Sequence, residues 1–218
     1  TKVAVANEKF YANFEEGFIG TSLKKDQYLF DCSDIDDIIT FQKDGTMKVV
    51  KVEPKTFIGK NIVHVAVWKK NDKRTVYNMI YREGRDGPFY MKRFSVTGVT
   101  RNNDYKLASD QKGSEMLYFS ANPNGEAESV TVLLKPNARI RKNKIELDFS
   151  ELGIKGRDSK GNLVTKYAVK KVDLKEDKKP KITRQSLFNS FRVFRYIKPY
   201  MGQFIVAMVL LVIGSLLF

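Results

Sequence analysis

Four similar segments follow one another in this chain, and each consists of a strand-like run, a turn that contains glycine and a second strand-like run. The segments span residues 36–52, 77–96, 115–134 and 150–172. The turn glycines, which are 42, 38 and 36 residues apart, are Gly45, Gly87, Gly125 and Gly161. Turns such as Lys-Asp-Gly and Pro-Asn-Gly supply the positive φ that hairpins require. Repeats at this interval predict the blades of a propeller or a solenoid.

The runs beside these turns are rich in Val, Ile, Phe, Tyr and Thr, which favour a pleated, half-buried surface. Before residue 180 no stretch shows the periodicity of an amphipathic helix. We therefore predict an all-β fold over residues 1–172, a propeller-like array of repeated hairpins in which each sheet buries a face against the next. The expected core consists of Ile38, Phe41, Val49, Met79, Tyr81, Phe94, Leu117, Phe119, Val130, Val132, Leu163 and Val169.

The charge of the chain is strongly positive, with 39 Lys and Arg against 25 Asp and Glu and a formal net charge of +14. Such an excess favours a polyanionic partner, either nucleic acid or an anionic membrane surface. Many of the cations fall on the second strand of a repeat, so repetition would align them along one rim that suits the phosphates of double-stranded DNA. The predicted DNA contacts are Lys48, Lys51, Lys92, Arg93, Arg101, Arg139, Arg141, Lys166, Lys170 and Lys171. Alternatively, strand lysines only increase solubility and discourage edge pairing.

Charge and hydropathy change abruptly near Pro180, so we predict a polar linker over residues 173–181. Residues 182–218 are then expected to form a short interfacial helix and a truncated transmembrane helix, because residues 204–218 are an uninterrupted apolar stretch of 15. The predicted membrane contact covers residues 199–218. Basic residues precede it, which places the β domain in the cytoplasm by the positive-inside rule. The alternative is a buried helix of a soluble protein.

The sequence offers little that could perform chemistry. It has one Cys and one His, and no phosphate-binding loop of the G-x-x-x-x-G-K-[ST] type. The single histidine, His64, lies in an apolar run and is expected to be a packed strand residue. The acidic cluster at residues 31–37 lacks the spacing of a calcium loop and is better explained by turn capping. We therefore expect no catalytic residue, metal or cofactor on this chain. The N-terminus shows no signal peptide and no initiating Met, which suggests an internal fragment.

Three passages resemble the C-terminal domain of the A subunit of bacterial topoisomerase IV, of the kind found in Bacteroidetes. They are residues 17–70 with the connector FIGKNIVH, residues 75–101, and residues 118–132. The resemblance runs from about residue 1 to residue 176, and the glycine-rich signature of gyrase is absent. It implies a β-pinwheel, a ring of hairpin-exchanged blades, that holds the transfer segment of duplex DNA. It also implies two partners, the remainder of the A subunit, which cleaves DNA, and the B subunit, which uses ATP and Mg²⁺.

The last segment, residues 181–218, instead resembles the start of an ABC exporter, an interfacial helix followed by the first transmembrane helix. Such a junction suggests a fusion of two unrelated sequences. A membrane-anchored transporter fragment with a cytoplasmic β domain is therefore the alternative function. A third possibility is a propeller that binds proteins and whose basic surface is incidental.

Overall fold

The structure, a computed structural model, describes residues 6–175 and the single residue Gly202. In chain order, the strands are β1 (Glu8–Asn13), β2 (Phe18–Gly20), β3 (Gln27–Cys32), β4 (Asp37–Gln42), β5 (Thr46–Lys51), β6 (Thr56–Phe57), β7 (Ile62–Trp68), β8 (Val76–Arg82), β9 (Phe89–Ser95), β10 (Asp104–Lys106), β11 (Glu115–Asn122), β12 (Ser129–Leu134), β13 (Lys144–Asp148), β14 (Lys155–Gly156), β15 (Asn162–Thr165) and β16 (Val169–Leu174). One short 3₁₀ turn, Phe149–Glu151, follows β13. The prediction of an all-β fold is confirmed.

The strands form four sheets, which we number as blades in chain order. The first blade has the order β3-β1-β2-β6 and the second has the order β10-β5-β4-β7. In the third blade the order is β11-β8-β9-β14, with β15 also paired to β9, and in the fourth it is β13-β12-β16. Among the residues described, every strand pair is antiparallel except β9 with β14, which is parallel. This part of the chain therefore consists of consecutive small sheets.

Strands are exchanged between successive blades in a regular way. β6 follows the β4–β5 hairpin along the chain but pairs with β2 of the preceding blade. β10 follows the β8–β9 hairpin and pairs with β5, and β15 lies between two strands of the fourth blade but pairs with β9. Each donated strand covers the outer edge of the preceding hairpin, an edge that would otherwise present unpaired backbone groups. This exchange gives the β-pinwheel arrangement that the family resemblance implied.

The predicted hairpin repeat is correct for its first two segments and wrong for its last two. Gly45 lies in the β4–β5 turn, and in the β8–β9 turn the positive φ belongs to Gly84 rather than to Gly87. Gly125 lies between β11 and β12, which belong to different blades, and Gly161 precedes the exchanged strand β15. Glycines recur wherever the chain must turn, including the links between blades and the connectors that carry exchanged strands. Their spacing alone therefore does not identify which strands pair.

Hydrophobic side chains fill the space between neighbouring blades in three clusters. Ile38, Val50 and Val65 of the second blade face the first blade, whereas Ile39, Phe41 and Val49 face the third. A blade covered on both faces explains why consecutive residues of β8, from Val76 to Tyr81, are all buried. The predicted core residues are buried or half-buried, with one exception. Leu163 is 52% exposed because β15 is a short strand added at the edge of the third blade.

The connectors that carry β6 and β10 each contact a turn glycine of the blade that they cover. The carbonyl oxygen of Gly17 accepts a hydrogen bond from Ile58 N–H at 2.8 Å, and the carbonyl of Gly45 accepts one from Leu107 N–H at the same distance. Gly17 has φ +83°, and a Cβ at this position would lie 2.3 Å from the carbonyl oxygen of Gly59. The absence of a side chain thus lets the connector approach closely.

Substituting Gly17→Ala is expected to lower the free energy of unfolding by about 2 kcal/mol, because Ala disfavours this φ and its Cβ collides with the connector. Urea denaturation of the full chain would measure the change. Gly98→Ala is the matched control, since a Cβ there meets nothing within 4 Å, and it should stay within about 0.5 kcal/mol of the parent. Equal losses in the two variants would contradict the role of Gly17 in the close approach of the connector.

The C-terminal predictions fall on residues whose structure is not described. β16 continues to Leu174, and the compact unit that holds the four blades ends at Lys175. The predicted interfacial and membrane helices, residues 182–218, and the predicted membrane contact at residues 199–218 lie outside the described residues. Within the described part of the chain, no helix has the length and apolar character needed to cross a membrane.

Candidate nucleic-acid interface

Eight basic side chains gather at one end of the fourth blade. Five surround the β12–β13 loop and three surround the turn between β15 and β16. We call this set the basic end of the fourth blade, and it consists of Lys135, Arg139, Arg141, Lys142, Lys144, Lys166, Lys170 and Lys171. The two segments meet because Lys135 N–H donates to the carbonyl oxygen of Ala168 at 2.8 Å. Residues far apart in the sequence thus form one surface.

Local hydrogen bonds shape the loop that carries Arg139 and Arg141. The side-chain oxygen of Asn137 accepts from Arg139 N–H at 3.0 Å, and the carbonyl oxygen of Asn137 accepts from Ile140 N–H at 2.9 Å. Asn favours such turns because its side chain can replace a backbone acceptor. The turn is therefore held by local hydrogen bonds to Asn137, and both arginine residues are left exposed to solvent.

The sheet geometry places further cations of this set on one face. Lys144 and Lys171 are both directly opposite Leu133, one on each neighbouring strand. Residues opposite one another in a sheet project from the same face. The next residue, Val132, is buried with its cross-strand neighbours against the third blade. The two lysines therefore project away from the hydrophobic core.

The basic end contains almost no compensating negative charge. Residues 135–144 include five basic residues and no acidic one, and residues 159–172 contain no acidic residue either. All eight cations are exposed. Lys171 pairs with Asp173 at 2.6 Å, while the other seven form no ion pair with any residue that the structure describes. These seven charges are thus available to an external anion.

Lys92, in contrast, is buried and does not reach the surface. It is only 2% exposed. The ammonium Nζ donates to the carbonyl oxygens of Leu107 at 2.5 Å, Arg157 at 2.7 Å and Ser159 at 3.1 Å. Burial lowers the pKa of Lys92 to about 8. An enclosed ammonium with three carbonyl partners is not offered to a phosphate, so we leave Lys92 out of the interface proposed below.

Arg93 also contacts the protein rather than solvent alone. Its guanidinium donates to the carbonyl oxygen of Gly125 and, at 3.3 Å, to that of Glu126. These carbonyls belong to the link between the third and fourth blades. Arg93 therefore holds this link against β9, and its sequence-predicted role in DNA binding gains no support from its position.

The three predicted contacts on the second blade lie near acidic residues. Lys48 pairs with Asp104 at 2.8 Å across β5 and β10. Arg101 forms a two-pronged pair with Asp37, at 2.7 and 3.1 Å, and this pair raises the pKa of Arg101. Lys51 is exposed. Carboxylates already neutralise two of the three cations, so this group is less suited to a phosphate backbone than the fourth blade.

The sequence predicted a rim of basic residues along the second strands of the repeats, and the structure brings part of the predicted set together. Five predicted contacts, Arg139, Arg141, Lys166, Lys170 and Lys171, come together, whereas Lys48, Lys51, Lys92, Arg93 and Arg101 lie elsewhere. The same surface includes Lys135, Lys142 and Lys144, which were not among the predicted contacts. The acid-free basic run at residues 135–144 was the sequence signal that pointed to them.

The acidic residues near position 34 serve the backbone turn. The Asp36 carboxylate accepts from Ser33 N–H at 2.8 Å, and Asp34 accepts from the Ser33 hydroxyl at 3.1 Å. This agrees with turn capping. In the part of the chain that the structure covers, no group of three or more His, Cys, Asp or Glu is arranged to hold a metal ion.

The strand-exchanged blades and the concentrated cations define a β-pinwheel domain with a strongly basic surface. A family model described as the topoisomerase C-terminal domain of Bacteroidota matches residues 9–177. The chain belongs to this family.

The chain is also similar to the A subunit of DNA topoisomerase 4 from Borreliella burgdorferi, with 31% identity over 175 residues. That alignment covers 80% of this chain and 26% of the relative, so the chain spans about a quarter of the length of the curated relative that it matches. The family match ends at residue 177 and lends no support to the exporter resemblance of residues 181–218.

Proposed function

We propose that this chain carries the DNA-binding C-terminal module of the A subunit of a type IIA topoisomerase, and that the basic end of the fourth blade contacts the phosphates of duplex DNA. The observation that carries the proposal is the cluster of seven exposed cations without an ion-pair partner among the described residues. The family supports a topoisomerase context, and the cluster supplies the chemistry for a polyanion.

The physical argument concerns the cost of forming the contacts. Cations held in salt bridges must lose a partner before they bind phosphate, whereas the cations of the fourth blade need only release counterions from DNA. Both Arg and Lys bind phosphate, and Arg does so with two parallel hydrogen bonds. Contacts of this kind recognise the backbone and tolerate any base sequence. A module that must hold whichever duplex segment is to be transported requires this tolerance.

The module is proposed to act without chemistry of its own. Its proposed partners are the remainder of the A subunit, which would supply DNA cleavage, and the B subunit, which would supply the ATP- and Mg²⁺-dependent steps. The blades would retain the transfer segment near the site of strand passage, in the cytoplasm, where the chromosome is located. Bending of the duplex around the domain would follow if contacts extend beyond the fourth blade.

Duplex binding by the full chain is expected to weaken steeply with salt. If four to seven phosphates are neutralised, log K should fall against log[salt] with a slope of about −4 to −6. Fluorescence anisotropy with labelled duplexes of about 30 base pairs and two unrelated sequences, at about 50 to 200 mM salt, would measure it. The two sequences should give the same slope. Absence of binding at the lowest salt, or a preference for one sequence above about tenfold, would overturn the proposal.

A further inference from the structure

An open cleft between the second and third blades is separate from the basic end of the fourth blade. Its volume is about 420 Å³, which is in the range of small-molecule binding sites. β7 forms one wall, and the start of β8 and the end of β11 form the other. The loop that joins the two blades, residues 69–75, closes one side.

Two polar side chains that line the cleft make no hydrogen bond within the described residues. One is His64, whose ring packs near Phe41 and Phe119 at centroid distances of 6.0 and 5.6 Å. The other is Tyr77, which is 4% exposed. Burial lowers the pKa of His64, so the imidazole is neutral near pH 7 and has one donor and one acceptor nitrogen. The ring nitrogens of His64 and the hydroxyl of Tyr77 are not among the enclosed polar atoms that lack a partner, so they open onto the cleft. A ligand with hydrogen-bonding edges would bind them in place of water.

The loop at the side of the cleft is basic. Residues 69–75 contain four cations and one acid, and Lys69 and Arg74 line the cleft. The acid, Asp72, is occupied within the loop, where it accepts from the Thr75 hydroxyl at 2.7 Å and from Arg74 N–H at 2.9 Å. These two bonds lower the pKa of Asp72. Lys69 forms no ion pair with a described residue. Arg74 Nε lies 3.9 Å from an Asp72 oxygen, a distant pair in which the Arg74 side chain stays 83% exposed. Because cations outnumber the single acid of this loop, the side of the cleft favours an anion.

We propose that this cleft binds a nucleoside monophosphate, with the heterocycle against His64 and Tyr77 and the phosphate at Lys69 and Arg74. A planar heterocycle offers both donors and acceptors to the imidazole and the phenol. The positive charge of two cations balances the charge of one phosphate group more closely than that of a triphosphate. An apolar ligand would leave both polar side chains unsatisfied. This site is additional to the proposed DNA interface, and its residues belong to other blades.

Trp68 provides a direct measurement, because it is the only tryptophan in the chain and lies between Val67 and Lys69, which both line the cleft. Its indole N–H donates to the carbonyl oxygen of Val96 at 2.8 Å, which fixes the ring. Titration of the full chain with dAMP is expected to change Trp68 fluorescence to saturation, with a Kd of about 0.1 to 1 mM. Deoxyadenosine and inorganic phosphate should each bind at least about tenfold more weakly, since each supplies half of the contacts.

Matched variants of the loop test the assignment. Lys69→Gln with Arg74→Gln is expected to weaken dAMP binding about tenfold or more, and Tyr77→Phe by severalfold. Lys70→Gln with Lys73→Gln removes the same charge from the same loop, outside the cleft lining, and should change the Kd less than about twofold. Equilibrium dialysis with labelled dAMP gives a second measurement that does not depend on Trp68.

Absence of saturable dAMP binding by dialysis, or equal losses in the two double variants, would overturn the cleft proposal. Measuring duplex DNA binding in the same preparations distinguishes failure of the cleft proposal from failure of the proposed function. If dAMP fails to bind while duplex DNA binds with the expected salt slope, only the cleft proposal is lost. If a single-stranded oligonucleotide competes with dAMP, the site accepts a nucleotide that is part of a DNA strand. If the oligonucleotide does not compete, the ligand is a free mononucleotide.

Discussion

Reversing Arg139, Arg141, Lys166 and Lys170 to Glu is expected to weaken duplex DNA binding by at least about 100-fold at about 50 mM salt. Each substitution removes one candidate phosphate contact and places a negative charge beside the DNA. For the same variant, the slope of log K against log[salt] should be shallower by about 3 to 4, because each lost phosphate contact removes nearly one unit. Because all four side chains are exposed and have no ion-pair partner within the described residues, the unfolding transition should change little. Anisotropy with two unrelated duplexes would measure the loss, which should be equal for both.

The control for this variant has the same change in net charge at a different place. Lys9, Lys24, Lys25 and Lys60 are exposed residues of the first blade and its connector. Reversing these four to Glu is expected to reduce affinity less than about tenfold, through the weakened long-range field alone. If the two variants lose affinity equally, total charge rather than the fourth blade determines binding. The proposed interface would then be wrong, whereas DNA binding itself would stand.

Substituting Lys92→Met is expected to lower the free energy of unfolding by about 3 kcal/mol, with no direct effect on the basic surface. Met keeps most of the side-chain volume but leaves the carbonyls of Leu107, Arg157 and Ser159 without their shared donor. Leu107 belongs to the connector that follows β10, and the other two belong to the segment before β15. The loss should therefore loosen both exchanged connectors together. Urea denaturation of the full chain would measure it.

Lys51→Met is the matched control, since Lys51 is exposed on β5, and it should stay within about 0.5 kcal/mol of the parent. The pH dependence gives a second test. Because the pKa of Lys92 is lowered to about 8, the unfolded chain binds a proton that the folded chain lacks between that pKa and the ordinary lysine pKa. Stability due to this group therefore rises with pH, and the gap between parent and Lys92→Met should widen by about 2 kcal/mol from about pH 7.5 to about pH 9.5. A constant gap would contradict the lowered pKa.

The predicted DNA contacts stay a prediction, and the structure brings only part of them together on one surface. Arg139 and Lys166 were both candidates, but a linear pattern does not show that the β12–β13 loop and the β15–β16 turn meet. The two segments meet through the backbone hydrogen bond from Lys135 N–H to the carbonyl oxygen of Ala168. Lys92 was a candidate because it is a basic residue on the second strand of its repeat. Its burial results from two connectors that cross over it from distant parts of the chain.

Residues 8–32 show a further limit of the repeat analysis. They form the first blade, yet they were not among the four repeated segments, although Gly17 stands between two strand-like runs as Gly45 does. The third and fourth segments were recognised as strands, but their partners were misassigned. A strand run shows which residues prefer an extended backbone, whereas its partner depends on which edge the connector reaches.

The sequence by itself determined the class of fold, the positions of the β4–β5 and β8–β9 hairpins, most of the buried side chains and the excess of positive charge. These properties are local or additive, because they follow from propensity, turn chemistry and composition. The tertiary structure alone decided which blade receives each exchanged strand, that Lys92 is enclosed, and that seven cations without a described ion-pair partner meet on the fourth blade. These properties depend on contacts between residues far apart in sequence, where no local pattern records the partner.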